Sequence, residues 1–474
     1  MKVKLALPKG RLLQPTSGLL QQSGLELSGY DEQSRSYRPR CSNSPDIVLK
    51  IFNEKDVPIQ VAVGNYDLGI CGHDWVEELL TKYPSSAVVK VKDLGYGTRE
   101  LCMVANKASQ LGSINDLTHR TERVRIVTEY PNLAESFALN SRMRRFSIFP
   151  VWGGAEVYPP ESADLALISR TDDIPLEYDL FPLTTILHSS ACLIAHRPSW
   201  ESKNMSSLLQ RLYSAEGVRQ IATEKASTTR SDPATSSPRR PQPNSDSVWL
   251  ALPDGHQQAP ALELLERAGI ELGQRPQEPR RPTTNLEGVF AKTIRPQDMP
   301  LQVANGNFDL AITGEDWLYD HLYRFPSSPL KKILDLGFGK VRIVAVVSKN
   351  LPFDTTQDLR SPFRRHSFTT LRIASEYVNI ADKYARDNHL SPYRLLPTWG
   401  STEAFLPEDA DVLIENTQTG RTIAQHNLKI VDTLFESSAC LIGNVDSCSG
   451  SELKTKKIGD IVDLLHKIAP KYYW

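Results

Sequence analysis

Short apolar runs alternate with stretches of helical periodicity along most of the chain. Residues 3–7, VKLAL, read as a strand, and the leucine pairs Leu12, Leu13 and Leu19, Leu20 follow at helical spacing until Gly24. Residues 56–63 predict a helix with Pro58 in its first turn, where no backbone N–H is needed. DLGIC is a strand closed by Gly72; residues 101–105, 125–128 and 165–168 are further strands, with a helix starting at Pro131. This alternation predicts an α/β architecture with mainly parallel strands. The segment from 100 to 178 carries a strand-and-helix series of its own, so a two-lobed domain with a cleft is expected.

The alternation stops at residues 226–246, ASTTRSDPATSSPRRPQPNSD, which hold almost no apolar side chain and read as a flexible, Pro-stiffened linker. On either side the chain repeats itself at an offset of 242 to 248 residues. LALPKGR at 5–11 returns as LALPDGH at 250–256, and DVPIQVAVGNYDLGICGHDW at 56–75 returns as DMPLQVANGNFDLAITGEDW at 298–317. DLGYG at 93–97 matches DLGFG at 335–339, RIVTEYPNLA at 125–134 matches RIASEYVNIA at 372–381, and SSACLIA at 189–195 matches SSACLIG at 437–443. So much ordered identity means tandem duplication: a first domain at 1–225, the linker at 226–246 and a second domain at 247–474.

Composition agrees with this division. At 474 residues the chain is too long for one core, and 40% hydrophobic with 23% charged residues describes a globular protein. A net charge of -1 leaves no basic footprint for nucleic acid or an anionic membrane. The start has only a short apolar run before Pro8 and Lys9, unlike a signal peptide, and nowhere do about 18 apolar residues run together. The six cysteines, Cys41, Cys71, Cys102, Cys192, Cys440 and Cys448, lack metal-type spacing and read as free thiols of a cytoplasmic protein.

The stretch that concentrates chemistry is 411–423, DVLIENTQTGRTI. An apolar strand runs into an acid, Glu415, then into a hydroxyl-rich loop with one glycine, Gly420, and then into helical sequence from Thr422. Backbone N–H groups before a helix favour an anion, Thr417, Thr419 and Thr422 add hydroxyl donors, and Glu415 can accept from sugar hydroxyls. A phosphorylated ribose needs this combination; an ordinary polar strand-to-helix loop is the alternative reading of the stretch alone.

Taken in order, LALPKGRL, the DLGICGHDW pattern, DLGxG, the TEYPN strand end and DVLIENTQTGRTI resemble ATP phosphoribosyltransferase, the family that opens histidine biosynthesis. The likeness covers nearly everything outside the linker. It implies an α/β fold of two tandem copies of a two-lobed type II periplasmic-binding-protein-like domain, where the family usually has one copy. It further implies transfer of phosphoribosyl from phosphoribosyl pyrophosphate to ring nitrogen 1 of ATP's adenine, with pyrophosphate released and Mg2+ as cofactor. A histidyl-tRNA-synthetase-like regulatory subunit is the protein partner it suggests. On the family pattern Glu415, Asn416, Thr417, Gln418, Thr419, Gly420, Arg421 and Thr422 hold the phosphoribosyl group, and Arg295 is the arginine that precedes the helix at Asp298.

The two copies differ in complementary ways. Where the second has ENTQTGRTI, the first has ISRTDDIPL at 168–176. Asp172 and Asp173 repel a phosphate dianion and Pro175 removes an N–H donor, so the first cleft is expected to be dead for transfer. Conversely, Lys9, Gly10 and Arg11 become Asp254, Gly255 and His256. Ser34 and Arg35 fit a further family arginine, for which the second copy offers only Arg280 and Arg281 in a Pro-rich segment. Family members form dimers whose site takes an arginine from the neighbouring subunit. The halves are therefore expected to form an internal pseudo-dimer with one composite site. The second would contribute the loop and Arg295, and the first Arg35, with Lys9 and Arg11. Arginine suits this work because its fork binds two phosphate oxygens at once.

Of the remaining candidates, Glu403 in WGSTE reads either as a ribose or metal neighbour or as a turn carboxylate, and Glu376 lies at a strand end where cleft residues gather. Asp309 and Asp316, retained in both copies, read as structural, and Trp152 and Trp399 as packing the lobes. None of the ten histidines has catalytic spacing. Two other functions compete: a non-catalytic nucleotide-binding regulatory homologue, and a small-molecule binder of the periplasmic type. The intact second loop with Arg295 argues against the former and the lack of a signal peptide against the latter.

Overall fold

The computed structural model describes residues 2–34, 36–109, 111–171, 177–216, 244–275, 278–360, 370–445 and 451–468. Arg35, Asp172, Asp173 and Pro175, and the linker up to residue 243 lie outside the described residues. The chain packs as two compact units: residues 1–101, 170–172 and 187–242, and residues 102–169, 173–186 and 243–474. Packing thus divides the chain inside the first copy, whereas the repeat divides it at the linker.

The first unit is built on a sheet ordered Ile47–Phe52, Val3–Pro8, Leu68–Gly72, Ala191–His196, Val88–Asp93. Val3–Pro8 pairs in parallel with both neighbours and is buried almost throughout, as a strand covered on both faces must be. The predicted helix forms at Leu13–Gln22 and buries Leu13, Leu19 and Leu20 against this sheet. Ala191–His196 runs antiparallel to Leu68–Gly72, so the sheet is mixed; the expectation of mainly parallel strands is corrected by this returning strand.

The second unit holds most of the first copy's second lobe and the whole second copy. The sheet Val289–Ile294, Val248–Pro253, Leu310–Gly314, Ala439–Asn444, Leu330–Asp335 repeats the order seen in the first unit. The second copy's other sheet is ordered Tyr393–Pro397, Leu371–Ser375, Val412–Thr417, Val341–Ser348, Leu428–Ser437, and its first-copy counterpart has the same order. In each copy the chain builds most of one lobe, crosses to build the other and returns to add one antiparallel strand to the first. That is the two-lobed type II periplasmic-binding-protein-like topology, present twice.

The repeated DLGxG and SSAC motifs are the crossing points. Ser437 Oγ donates to Asp316 Oδ1 (2.9 Å) while accepting the Asp316 N–H (3.0 Å), and Ser438 Oγ donates to Asp335 Oδ1 (2.9 Å). In the first copy Ser189 makes the same pair with Asp74 (3.0 Å) and Ser190 donates to Asp93 (2.7 Å). These short polar locks hold the connections through which any hinge motion must pass.

Within the second unit, one apolar cluster joins the first copy's second lobe to the second copy's first. Val151, Val157 and Tyr158 share it with Ala251, Met299 and Phe308. Beside it, Lys292 is fully buried and donates to Tyr158 O (2.9 Å), Glu161 Oε2 (2.9 Å) and Ser162 Oγ (3.2 Å). Arg281 donates to Val157 O (2.7 Å) and stands 3.3 Å from the same Glu161 oxygen. Burial pushes the Lys292 ammonium down to about 7, whereas Lys292 and Arg281 together hold Glu161 below the usual carboxylate range. Glu161→Ala would remove the carboxylate that supports both the Lys292 and Arg281 charges, and should destabilise this junction by about 3–5 kcal/mol. Urea unfolding checks this, with Glu161→Gln expected to fall between wild type and alanine; an unshifted midpoint would show that the junction carries no load.

Candidate active site

Between the two lobes of the second copy lies a cavity of about 300 Å³. Its first-lobe wall begins where strand Val248–Pro253 ends: Asp254, Gly255, His256 and Gln257 all face it. Gly255 takes φ +69° there, a conformation that glycine adopts without strain. Arg295 follows strand Val289–Ile294 onto the same wall, its Nη1 3.4 Å from Asp254 Oδ2. The second-lobe wall comes from three strand ends and turns. Leu371–Ser375 delivers Glu376, Val412–Thr417 carries Glu415 and Asn416, and the short helical turn Thr402–Phe405 carries Glu403.

The floor is aromatic. Trp317 stacks on Tyr377 at 4.2 Å, and the Tyr377 hydroxyl donates to Asp316 Oδ2 (2.5 Å) while accepting from Asn416 Nδ2 (2.9 Å). Asp316 was read as structural; it locks the lobe crossing and also lines the cavity. Asp309, by contrast, accepts the Trp249 N–H (2.9 Å) and pairs with Lys454 (2.8 Å), a purely structural arrangement.

Three carboxyl groups share the second-lobe wall. Burial, with the Glu403 charge added, pushes Glu376 up to about 7. Burial and then the charges of Glu376 and Glu403 push Glu415 well above the ordinary range, against the pull of the Asn416 N–H. A wall of this kind presents protonated donors and charged acceptors side by side near neutral pH. Opposite it, the Oε1 atoms of Gln257 and Gln297 are buried with no hydrogen-bond partner among the described residues. An orphaned buried acceptor costs about 1–3 kcal/mol, so ligand N–H or O–H donors fit here.

Of the residues singled out by sequence, the cavity brings together Arg295, Glu403, Glu415 and Asn416. The loop beyond them is mostly exposed at Gln418, Thr419, Arg421 and Thr422 and is not part of the lining. Gly420, at φ +73°, caps a helix of only five residues, Arg421–Gln425. The expected contribution of a helix dipole is therefore corrected: too few peptide units align, and loop N–H groups and hydroxyls are what remains for an anion. Thr417 Oγ1 already accepts the Gly420 N–H (2.9 Å), which shapes the loop and leaves its own hydroxyl proton to donate. In the first unit, Arg11 donates to Gly97 O (3.0 Å) and Glu54 Oε1 (2.6 Å), so its guanidinium is engaged within its own lobe, and Lys9 stands 5.4 Å over the Tyr37 ring.

A first-copy residue packs against one of the aromatic residues that line the cavity. The Trp152 N–H donates to both carboxylate oxygens of Asp298 (3.0 and 3.1 Å). Its ring meets Trp317 edge-on at 6.0 Å and Trp399 at 6.4 Å. Trp152 and Trp399 are packing aromatics, as read from the sequence, and Trp152 packs across copies. The only sequence signal was the repeated WGG and WGS turns.

Among the described residues no group of three or more His, Cys, Asp or Glu side chains is arranged to hold a metal ion. Glu376, Glu403 and Glu415 line one wall without converging on a point, so the residues present do not fit a resident magnesium. Among the same residues no helix is long and apolar enough to cross a membrane.

Comparison with known proteins adds the following. The family model described as ATP phosphoribosyltransferase (HisG) matches residues 53–214 and 295–467. The ATP phosphoribosyltransferase of Chlorobaculum parvum is 33% identical over 230 residues, 47% of this chain and 72% of that protein. That of Metallosphaera sedula is 33% identical over 198 residues, 41% of this chain and 64% of that protein. Among solved structures, the HisG:HisZ complex from Thermotoga maritima includes a chain 20% identical to this one. The match covers 47% of this chain and 98% of that one, with a TM-score of 0.39. The sulphonate-binding protein SsuA of Escherichia coli is 13% identical, covering 46% of this chain and 70% of that one, with a TM-score of 0.31. The fold assignment above rests on strand order and not on these superpositions.

The carboxyl cluster makes stability depend on pH. A carboxyl raised from 4.5 to about 7 on folding binds more protons in the folded state across that interval, so stability falls as pH rises through it. Glu415 is raised as well, and Glu415→Gln removes that group. Thermal midpoints measured between about pH 5 and pH 7 should therefore fall less steeply for the variant than for wild type. Parallel profiles would mean that the cluster is not desolvated.

Proposed function

Because the chain belongs to the ATP phosphoribosyltransferase family, we propose that phosphoribosyl transfer takes place at one composite site, the second copy's cavity completed by the first copy's Trp152 turn. As a tandem repeat of that family's domain, the chain is a transferase of histidine biosynthesis; what is proposed is where and how it works. The observation that carries the reading is the meeting of Arg295, Glu415, Asn416 and Glu403 in one cavity that also holds two orphaned amide acceptors.

In this reading the 5′-phosphate of the donor sits on the loop from Thr417 to Thr422, held by backbone N–H groups, by the Thr417 and Thr419 hydroxyls and by Arg421. Gln418 and Thr422 edge the same loop. Glu415 accepts from the ribose hydroxyls and Asn416 fixes the loop to Tyr377. Ring nitrogen 1 of ATP attacks the anomeric carbon, and the electron pair of the breaking C–O bond leaves with pyrophosphate, whose growing charge Arg295 meets. The attack places positive charge on the purine. Glu376 and Glu403 face that charge, and Gln257 and Gln297 accept from the exocyclic amino group. Positioning does most of the work because the nitrogen is already a nucleophile without a strong base. Magnesium arrives as the counter-ion of the donor. Lys9 and Arg35 retain the supporting part that sequence comparison assigns them; Arg11, held by Glu54, is given none.

The test is pyrophosphate release from ATP, phosphoribosyl pyrophosphate and magnesium, alone and with a histidyl-tRNA-synthetase-like regulatory subunit added. Arg295→Ala should lower kcat by about 100- to 1000-fold, the usual effect of removing one well-aimed donor. Arg35→Ala should also lower turnover strongly, while Asp173→Ala should leave it unchanged. No release under either condition would favour the non-catalytic regulatory homologue, and a silent Arg35→Ala would remove that residue from the site.

A further inference from the structure

Side by side, the turn at 254–257 reads as lost function: Lys9, Gly10, Arg11 and Leu12 have become Asp254, Gly255, His256 and Gln257. The backbone shows what else changed with it. Thr293 N–H donates to Arg280 O (2.8 Å), and at the equivalent place in the first copy Ile51 N–H donates to Tyr37 O (2.9 Å), so Arg280 is the counterpart of Tyr37. In the first copy the Lys9 ammonium lies 5.4 Å over the Tyr37 ring. In the second, Asp254 Oδ2 lies 3.3 Å from Arg280 Nη1. A cation on an aromatic ring has been exchanged for a carboxylate on a cation, both members changing together. Decay of one position does not produce that.

Asp254, with its side chain 11% exposed, holds a second guanidinium as well: Arg295 Nη1 stands 3.4 Å from the same oxygen. We propose that Asp254 is a positioning residue that gathers Arg280 and Arg295 into a paired guanidinium clamp for the pyrophosphate end of the donor substrate. This rests on reading the cavity as the transfer site. Two guanidiniums side by side repel each other; one carboxylate between them relieves the repulsion, hydrogen-bonding Arg295 Nη1 (3.5 Å) and pairing by charge with Arg280 Nη1. Asp254 and Arg295 line the cavity. The first copy closes the back of the clamp: a Cβ on Gly154 would lie 2.8 Å from Arg280 Nη1, and one on Gly153 3.6 Å from Arg295 Nε.

The deciding variant is Asp254→Lys, which restores the first copy's residue. If the turn has merely decayed, lysine should raise kcat/KM for phosphoribosyl pyrophosphate. If Asp254 positions the clamp, lysine should lower it at least about tenfold, weaken product inhibition by pyrophosphate and leave KM for ATP within about threefold. Asp254→Asn should act in the same direction and Asp254→Glu should retain most activity. Gly154→Ala, made in the other copy, should displace Arg280 and lower the same parameter without adding to Arg280→Met. Circular dichroism melts identify folded variants; should Asp254→Lys not fold, Asp254→Asn and Gly154→Ala carry the test. Undiminished activity in Asp254→Lys or Asp254→Asn overturns the clamp. A wild type that releases no pyrophosphate overturns the transfer-site reading instead. Calorimetric titration with inorganic pyrophosphate then decides the clamp alone, weaker binding by Asp254→Lys supporting it and tighter binding overturning it.

Discussion

The junction around Glu161 is the constraint on which the rest depends. A carboxylate held between a fully buried lysine and a largely buried arginine tolerates little displacement, since a small shift leaves a charge without its partner in a medium that screens poorly. Together with the shared apolar cluster, it fastens the first copy's second lobe to the second copy's first lobe. Trp152, Gly153 and Gly154 lie a few residues before Val157 and Tyr158 in that junction, and this is how a turn of one copy comes to pack beside Arg295 and Trp317 of the other.

The cleft itself sets Arg295, Asp254 and two glutamines on the first lobe against three carboxyls on the second, with an aromatic floor tied to the crossing segments through Asp316 and Ser437.

Much of this was legible in the sequence, for identifiable reasons. Strand and helix alternation follows from local periodicity, and the duplication from ordered identity, so the twofold α/β design needed no coordinates. Glu415, Asn416 and Arg295 were legible because a motif keeps them at strand ends, where cleft residues collect. The helix after Gly420 was misjudged in strength because its length depends on how the chain packs beyond His426. The partners of Trp152 were not legible because they lie far away in the chain: Asp298 is 146 positions from Trp152. The Asp254–Arg280 ion pair was not legible because the two residues are brought together only by the fold.

By itself the sequence determined the repeat, the fold class and the family pattern, since each is encoded in residues near one another or in ordered motifs. Only the tertiary structure decided which side chains meet: that Glu161 bridges Lys292 and Arg281, that the first copy's Trp152 packs on the second copy's Trp317, and that Asp254 stands between two arginines. The reason is physical. Propensity and periodicity act over a few residues, whereas electrostatic and packing partners are selected by distance in space, and a folded chain brings residues more than a hundred positions apart to within 3 Å of one another.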